Sequence, residues 1–489
     1  MNYYLILGIF LAYSAILFIV SVFTSRRAGN KAYFLGNRQS PWPVVAYGMV
    51  GASLSGVTFI SIPGWVGSSS FTYLMVVFGY LAGYFAITFI LLPLYYRLNL
   101  TSIYTYLNQR FGFFSHKTGA FFFIISRLIG ASFRMFLVIN VLQLFIFDHL
   151  GIPFWASVLL FLCLITIYSF KGGIKTIVWT DMLQTTFMLA SLLIIISTIL
   201  DQTGYSARDI IQLANEKGLS KIIETDWKHD RFYLKQFFSG MFITIVMTGL
   251  DQDMMQKNLS CRSLKDAQKN MISLGFILIP VNLMFLYLGA SLYLYAEHFA
   301  LEIPQLSDDL FPMLALKHFG MLAGMIFFIG LIAAAYSSAD SAITALTTSL
   351  SIDFLNLEGK VFLTEIKQIR LRYVLHFFIT SLVFLTIVLF SLINNQAVIA
   401  LLFTIAGYTY GPLLGLFAFG LISGYSVRDR LVPLIAILSP LICYFLSKHS
   451  EQFLWGYKFG FELLILNGIL TFAGLWFIRK PKTTNNLNN

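Results

Sequence analysis

The stretch Ala333-Ala334-Ala335-Tyr336-Ser337-Ser338-Ala339-Asp340-Ser341-Ala342-Ile343-Thr344 carries hydroxyls and a carboxylate where a lipid-buried helix should carry neither. At about 100° per residue, Asp340, Ser341, Thr344 and Thr348 fall within roughly 60° of Ser337, so an unbroken helix gathers their oxygens on one face. Gly330, Ala334, Ser338 and Ala342 recur every fourth position beside that face. Such a ridge admits another helix closely enough for its backbone to supply further oxygens. We read this stretch as half of a sodium site. An ionised Asp at the centre of a membrane helix costs about 2.5–3.5 kcal/mol on insertion scales, so it needs a partner. Ser and Thr in membrane helices also bond to their own or a neighbouring helix. Ser337 and Ser338 alone therefore read as packing residues, and Asp340 is what shifts the reading towards function.

Other residues of the same kind lie elsewhere. Gly48, Gly51, Ser53, Ser55, Gly56 and Thr58, followed by Pro63, Gly64 and Gly67, are too dense in glycine and hydroxyl for a continuous helix. Unwound backbone at membrane depth survives where it lines a cavity or is buried by protein, and its carbonyls can then hold a cation. The alternative is a close-packed helix with Gly48, Ala52 and Gly56 as a small-residue seam; the two readings are compatible. Arg127 and Arg134 stand one heptad apart on nearly one face. Arg127, nearer one end of its span, could snorkel or pair with a carboxylate. Arg134 is deeper, and a guanidinium facing a wet cavity there would grip a carboxylate bidentately. The polar run at 248–257 could be an inner gate or the exit of a span into a loop, and its position favours the exit. Gly407, Gly411 and Gly415 around Pro412, with Tyr408 and Tyr410 alongside, could form a hinge or simply pack tightly.

The elements that position these groups must cross a bilayer. The 489 residues are 58% hydrophobic and 11% charged, far too apolar for a soluble chain of this length. Thirteen stretches are long enough to span, near residues 3–23, 44–66, 73–94, 121–147, 154–169, 177–200, 237–254, 271–294, 320–346, 373–392, 397–421, 431–446 and 459–478. The formal charge of +11 does not mark a nucleic-acid surface, because Lys and Arg fall in short connections between spans. Arg26 and Arg27 follow the first span, predicting a retained anchor with its N-terminus outside. The basic groups at 97–117, 171–175, 257–269, 360–372, 428–430 and 479–482 then fall inside, together with the C-terminus. Residues 201–231, spaced for a short surface helix at Ile210, Ile211, Leu213, Ala214 and Leu219, lie outside. Residues 301–319 are similar and more acidic, and the tail 483–489 reads as disordered. A single transmembrane domain, residues 1–489, is expected. Cys163, Cys261 and Cys443 form no metal or redox spacing. None of the seven His sits in a catalytic motif at membrane depth, so no enzyme is expected.

The second span, Lys171-Gly172-Gly173-Ile174 through Trp179-Thr180-Asp181-Met182-Leu183-Gln184, the Ser337-Ser338 helix and Gly411-Pro412-Leu413-Leu414-Gly415 together resemble the sodium/solute symporter family. Within it, Leu54-Ser55, Thr58-Phe59 and Ser61-Ile62-Pro63 most resemble the bacterial sodium/sialic acid transporters. The resemblance implies an all-α, LeuT-like fold of two inverted five-helix repeats, here about 41–200 and 233–423. Its first core helix would be discontinuous, with peripheral helices at 3–23, 431–446 and 459–478. It implies a sodium site of the carbonyls of Gly51, Leu54 and Ala334 with the hydroxyls of Ser337 and Ser338. A second sodium site maps onto Asp181, Ser337, Asp340 and Ser341, where Asp340 replaces a Ser and could strengthen the site, admit a proton or pair with an arginine. Substrate contacts map onto Ser53, Ser55, Thr58 and Arg134, and the branch's third-span Gln falls at or near Gly79.

These readings predict a multi-pass symporter of the cell (inner) membrane, with sodium as coupling ion and no organic cofactor. Its partners would be a small polar solute, carboxylated or sugar-like, and the lipid bilayer, with neither nucleic acid nor an obligatory protein partner. Sodium would tie the broken second span to the ninth, and substrate would then favour outer closure. Each ligand must prefer one state, or it drives nothing. The rival is a sodium-independent uniporter or channel, although no filter motif is found.

Overall fold

The computed structural model describes residues 3–481 except 27, 358, 360–363, 393–397 and 455. The tail 483–489, residue 397 at the start of the eleventh expected span, and the basic residues Arg27, Lys360 and Lys482 lie outside the described residues. The chain is built of helices α1 (Tyr3–Thr24), α2 (Asn30–Leu35), α3 (Trp42–Ser69), α4 (Tyr73–Ala86), α5 (Leu92–Arg97), α6 (Thr105–Arg110) and α7 (Phe113–Leu142). There follow α8 (Phe154–Ser169), α9 (Ile174–Thr203), α10 (Ala207–Glu216), α11 (Tyr233–Thr244), α12 (Gln252–Leu259), α13 (Leu264–His298) and α14 (Leu310–Lys317). The last are α15 (Met321–Ser349), α16 (Glu365–Ser391), α17 (Val398–Ile422), α18 (Val432–Lys448), α19 (Ser450–Phe453) and α20 (Leu463–Phe477). Two short strands, β1 (Ser426–Val427) and β2 (Arg479–Lys480), pair antiparallel.

Among the described residues, ten helical stretches are long and apolar enough to cross a membrane by length and composition, and α8 and α20 are shorter apolar helices. The seventh expected span is α11, prolonged by a wide π-type turn at Ile245–Gly249. The surface helix expected within 201–231 is α10, begun by a capping box between Ser206 and Asp209.

Apolar residues cover the bundle's outside. On α18, Leu434, Ile437, Leu441 and Phe445 are each more than half exposed along one helical face, the pattern that lipid tails satisfy. The centre is different: on α15 every residue from Gly330 to Ser349 is buried. Around it pack α3, α7 and α9, while α3 also packs on α9 and α13, and α4 on α11. The Gly172-Gly173 pair makes the turn into α9. Gly173 has φ +51°, and a Cβ there would run into the Tyr33 ring and carbonyl, so only glycine lets α9 start beneath α2.

Two of the packed spans are interrupted. In α3 the break is at Ser55, with φ 56° and ψ 177°. This conformation cannot continue the helical ladder, and it opens the ladder where the carbonyls of Gly51 to Leu54 would meet their N–H partners. The second break follows the wide turn after α11: Leu250 and Asp251 leave helical geometry, and α12 restarts with the Asp251 side chain accepting from the N–H groups of Asp253 and Met254. All eight residues of α12 are buried. The polar run at 248–257 is therefore not the exit of a span into a loop, because it continues into a helix that is buried along its whole length.

Candidate functional site

The oxygen-bearing face of α15 meets α9 and α12. Asp181 of α9 accepts the Ser337 hydroxyl on Oδ1 at 2.7 Å. Its Oδ2 stands 2.7 Å from Nζ of Lys257 on α12, with both side chains 1% exposed. By distance this is an ion pair, but the two atoms are not aligned as a hydrogen bond and neither has another hydrogen-bonding partner. Asp340 Oδ2 accepts the Tyr168 hydroxyl of α8 at 2.8 Å, and its Oδ1 has no partner. The carboxylate is thus held by a tyrosine, not an arginine. Ser338 Oγ donates to the Ala334 carbonyl at 3.2 Å and Ser341 Oγ to the Ser337 carbonyl at 2.6 Å, leaving lone pairs on both hydroxyls. Thr344 Oγ1 is buried without a partner.

The broken helix α3 reaches this region through glycine. The Gly51 N–H donates to Thr185 Oγ1 at 3.1 Å, and that hydroxyl donates to the Gly48 carbonyl at 3.3 Å. A Cβ on Gly48 would stand 2.9 Å from Asp181 Cβ and 3.2 Å from the Met182 nitrogen. Gly330 of α15 leaves room for the Phe59 ring of α3, whose Cζ lies 2.8 Å from where its Cβ would be. Helix α3 thus packs on α15, and α9 is their common neighbour. The small-residue seam is split between two partners, since Gly56 abuts Val138 of α7 instead of α9.

Beside the break lies a cavity of about 740 Å³, its mouth included, lined by Ser53, Ser55, Thr58, Tyr80, Arg134 and Asn282 among others. The four residues expected to contact substrate therefore share one cavity. Arg134, 9% exposed, makes no hydrogen bond or ion pair with any described residue, and its Nε is buried without a partner. Gly79 faces away from the cavity, pressed against the Phe237 carbonyl of α11. Its neighbour Tyr80 lines the cavity instead and shares a 2.8 Å hydrogen bond with the Tyr73 hydroxyl.

Met254 of α12 and Met247 and Thr248 just before it also line this cavity. Arg127, one heptad before Arg134, pairs with Asp253 and lies 3.9 Å from Asp251. Asp251 also accepts the Tyr410 hydroxyl of α17 at 2.6 Å. Gln252 donates to the Thr101 carbonyl and accepts from the Ile103 N–H. Gln256 donates to the Phe34 carbonyl at 2.7 Å and to Thr348 Oγ1 at 2.9 Å. Arg127 thus has the carboxylate partner that the sequence left open. Lys257, counted among loop residues from the sequence, is inside. Sequence reasoning also passed over Thr185, Tyr168 and the bond from Tyr410 to Asp251. The signal available for α12 was its density of Asp and Gln directly after an apolar span.

Residues 33–424 match the sodium:solute symporter family. Over 463 residues, 89% of this chain and 70% of its counterpart, the chain is 26% identical to sodium-coupled monocarboxylate transporter 1 of Xenopus laevis. It is 23% identical over 465 residues, 90% of this chain and 89% of the other, to a sodium/sialic acid symporter of Proteus mirabilis. Its structure is similar to that of a Na+-coupled sialic acid symporter in a substrate-bound outward-open state, with TM-score 0.84, 18% identity, and 97% and 98% of the two chains covered. That likeness identifies the fold as LeuT-like, with inverted five-helix repeats and a discontinuous first core helix. On the extent of the family match, the chain belongs to the sodium:solute symporter family.

Proposed function

We propose that this protein couples the entry of sodium to uptake of a small organic anion carrying a carboxylate, by alternating access. The observation that carries the reading is Arg134, a buried guanidinium without a hydrogen bond or ion pair to any described residue that lines a cavity beside a broken helix. A buried charge is costly unless paired, so the cavity suits a solute that brings the opposite charge. Bidentate pairing with a carboxylate matches the guanidinium fork. Ser53, Ser55 and Thr58 supply hydroxyls for the rest of the solute. Two of the relatives are named for a monocarboxylate and for sialic acid, which agrees with an acidic solute.

Sodium is assigned to the carbonyls of Gly51, Leu54 and Ala334 and the hydroxyls of Ser337 and Ser338. An ion held by both α3 and α15 favours the conformation in which the two are docked, and so orders the cavity that α3 lines. Release would follow when α12 gives up its contacts and opens the opposite end. One sodium with one monoanion moves no net charge, and any further charge would gain about 2.3 kcal/mol per 100 mV. We infer one transmembrane unit with repeats at about 41–200 and 233–423, in the cell membrane, with the N-terminus outside and the C-terminus inside.

The test is uptake of radiolabelled carboxylates, sugar acids and amino acids into proteoliposomes with sodium or potassium outside. Concentrative uptake that needs sodium and is lost in Arg134→Met is expected. Downhill flux indifferent to sodium would replace the symporter with a uniporter.

A further inference from the structure

We propose that Lys257 is a resident cation: its ammonium takes the place on Asp181 that a second sodium would need, so the chain binds one sodium rather than two. The inference deepens the sodium-coupled reading and rests on it. The second site expected from the sequence comprised Asp181, Ser337, Asp340 and Ser341. The structure adds a residue to that set from a different helix. Lys257 comes from α12, is 1% exposed, and sets Nζ 2.7 Å from Asp181 Oδ2, while Ser337 occupies Oδ1 at 2.7 Å.

A sodium ion sharing this carboxylate would face the ammonium across a few ångströms of protein. For two unit charges about 4 Å apart at an effective dielectric of about 20, the repulsion lowers affinity on the order of a thousandfold. Removing the ammonium reverses the situation. Two carboxylates, Asp181 and Asp340, then remain with the Ser337 and Ser341 hydroxyls, and Asp340 Oδ1 is already without a partner. Asp181 and Ser337 of the expected sodium site are thus in contact, and the remaining carboxylate oxygen of Asp181 is taken by a side chain. A tethered cation differs from a dissolved one in its path: it moves with α12 and never leaves the protein, so it neutralises Asp181 without adding to the charge transported.

Equilibrium binding of radiolabelled sodium to the purified full-length protein tests this. Lys257→Met should bind one more sodium per chain than wild type, whereas Lys257→Arg should bind the same number as wild type. The double variant Asp181→Asn/Lys257→Met removes both charges, which buried pairs tolerate better than loss of one partner. It should match wild type, and if Lys257→Met does not fold the added sodium is sought in Lys257→Gln, which keeps a polar side chain there without the charge. No added sodium in a folded Lys257→Met or Lys257→Gln, or a lower count in the double variant than in wild type, overturns the proposal. A wild type that binds no sodium while Lys257→Met binds one leaves the lysine assignment standing and removes the sodium-coupled reading instead.

Discussion

Arg127 and Arg134 lie seven residues apart on α7, and the same substitution should have opposite consequences at the two positions. Arg127 is paired with Asp253, whose side chain is fully buried, and lies 3.9 Å from Asp251. In Arg127→Met, Asp253 loses its counter-charge inside the bundle, and breaking a buried pair costs about 3–5 kcal/mol. Arg134 has no such partner. Its replacement by Met removes a buried charge that makes no direct hydrogen bond or ion pair with any described residue, so the ligand-free protein should melt at the wild-type temperature or above. The loss should appear in solute binding: a hydrogen bond to a charged group contributes about 1.5–3 kcal/mol, or about 10- to 150-fold in affinity. Thermal melts of the detergent-purified variants, with sodium and with or without a carboxylate panel, separate the two cases. Arg127→Met should melt several degrees low with every ligand, and Arg134→Met should lose only the shift caused by the acidic solute. If Arg134→Met destabilises the free protein as much as Arg127→Met, or keeps the full carboxylate shift, Arg134 is a structural residue and the anion assignment fails.

Ser338→Ala removes a hydroxyl assigned to sodium while sparing the helix, so sodium affinity should fall with little change in the ligand-free melting point; unaltered sodium dependence of uptake would remove Ser338 from the site. Gly48→Leu forces a side chain into the Asp181 and Met182 backbone contact, an overpacking of about 1–3 kcal/mol that should lower both melting temperature and uptake. Tyr410→Phe deletes the 2.6 Å bond to Asp251, at about 1.5–3 kcal/mol for a charged acceptor. It should speed labelling of Met254→Cys from the side that α12 closes, and equal labelling rates would argue against a gate there. In a variant lacking its three cysteines, the exposed positions Arg208 and Arg430, each changed to Cys, should react with an impermeant maleimide from outside and from inside respectively; labelling from one side would reverse or discard the proposed orientation.

The break in α3 was legible because its cause is local: glycines and hydroxyls crowd positions 48 to 58, and Ser55 carries the left-handed φ. The break after α11 was not. Asp251, Gln252, Asp253, Gln256 and Lys257 have the composition of a loop leaving the membrane. What buries them is distant in sequence: Thr101, Phe34, Arg127, Thr348, Asp181 and Tyr410. The two arginines were legible in part: depth set Arg134 apart as a cavity residue and a carboxylate was one of two readings for Arg127, but nothing local pointed to Asp253 of α12 as that carboxylate. The same limit applies to Asp340, since its carboxylate predicted a partner but nothing nearby pointed to Tyr168 of α8. Positions at Gly51, Ala334, Ser337 and Ser338 were legible as a family pattern, and the seam with Thr185 that holds α3 to α9 was not.

The burial of α12 bears on how the transporter can be slowed. Its polar side chains are tied to α2, α7, α9, α15, α17 and the segment before α6, so they cannot be released one at a time without stranding charges in a dry interior. The step that frees them should be concerted, with a large activation enthalpy and a turnover that falls steeply on cooling. A compound wedged against this short helix would then arrest the whole cycle without touching the solute's own pocket.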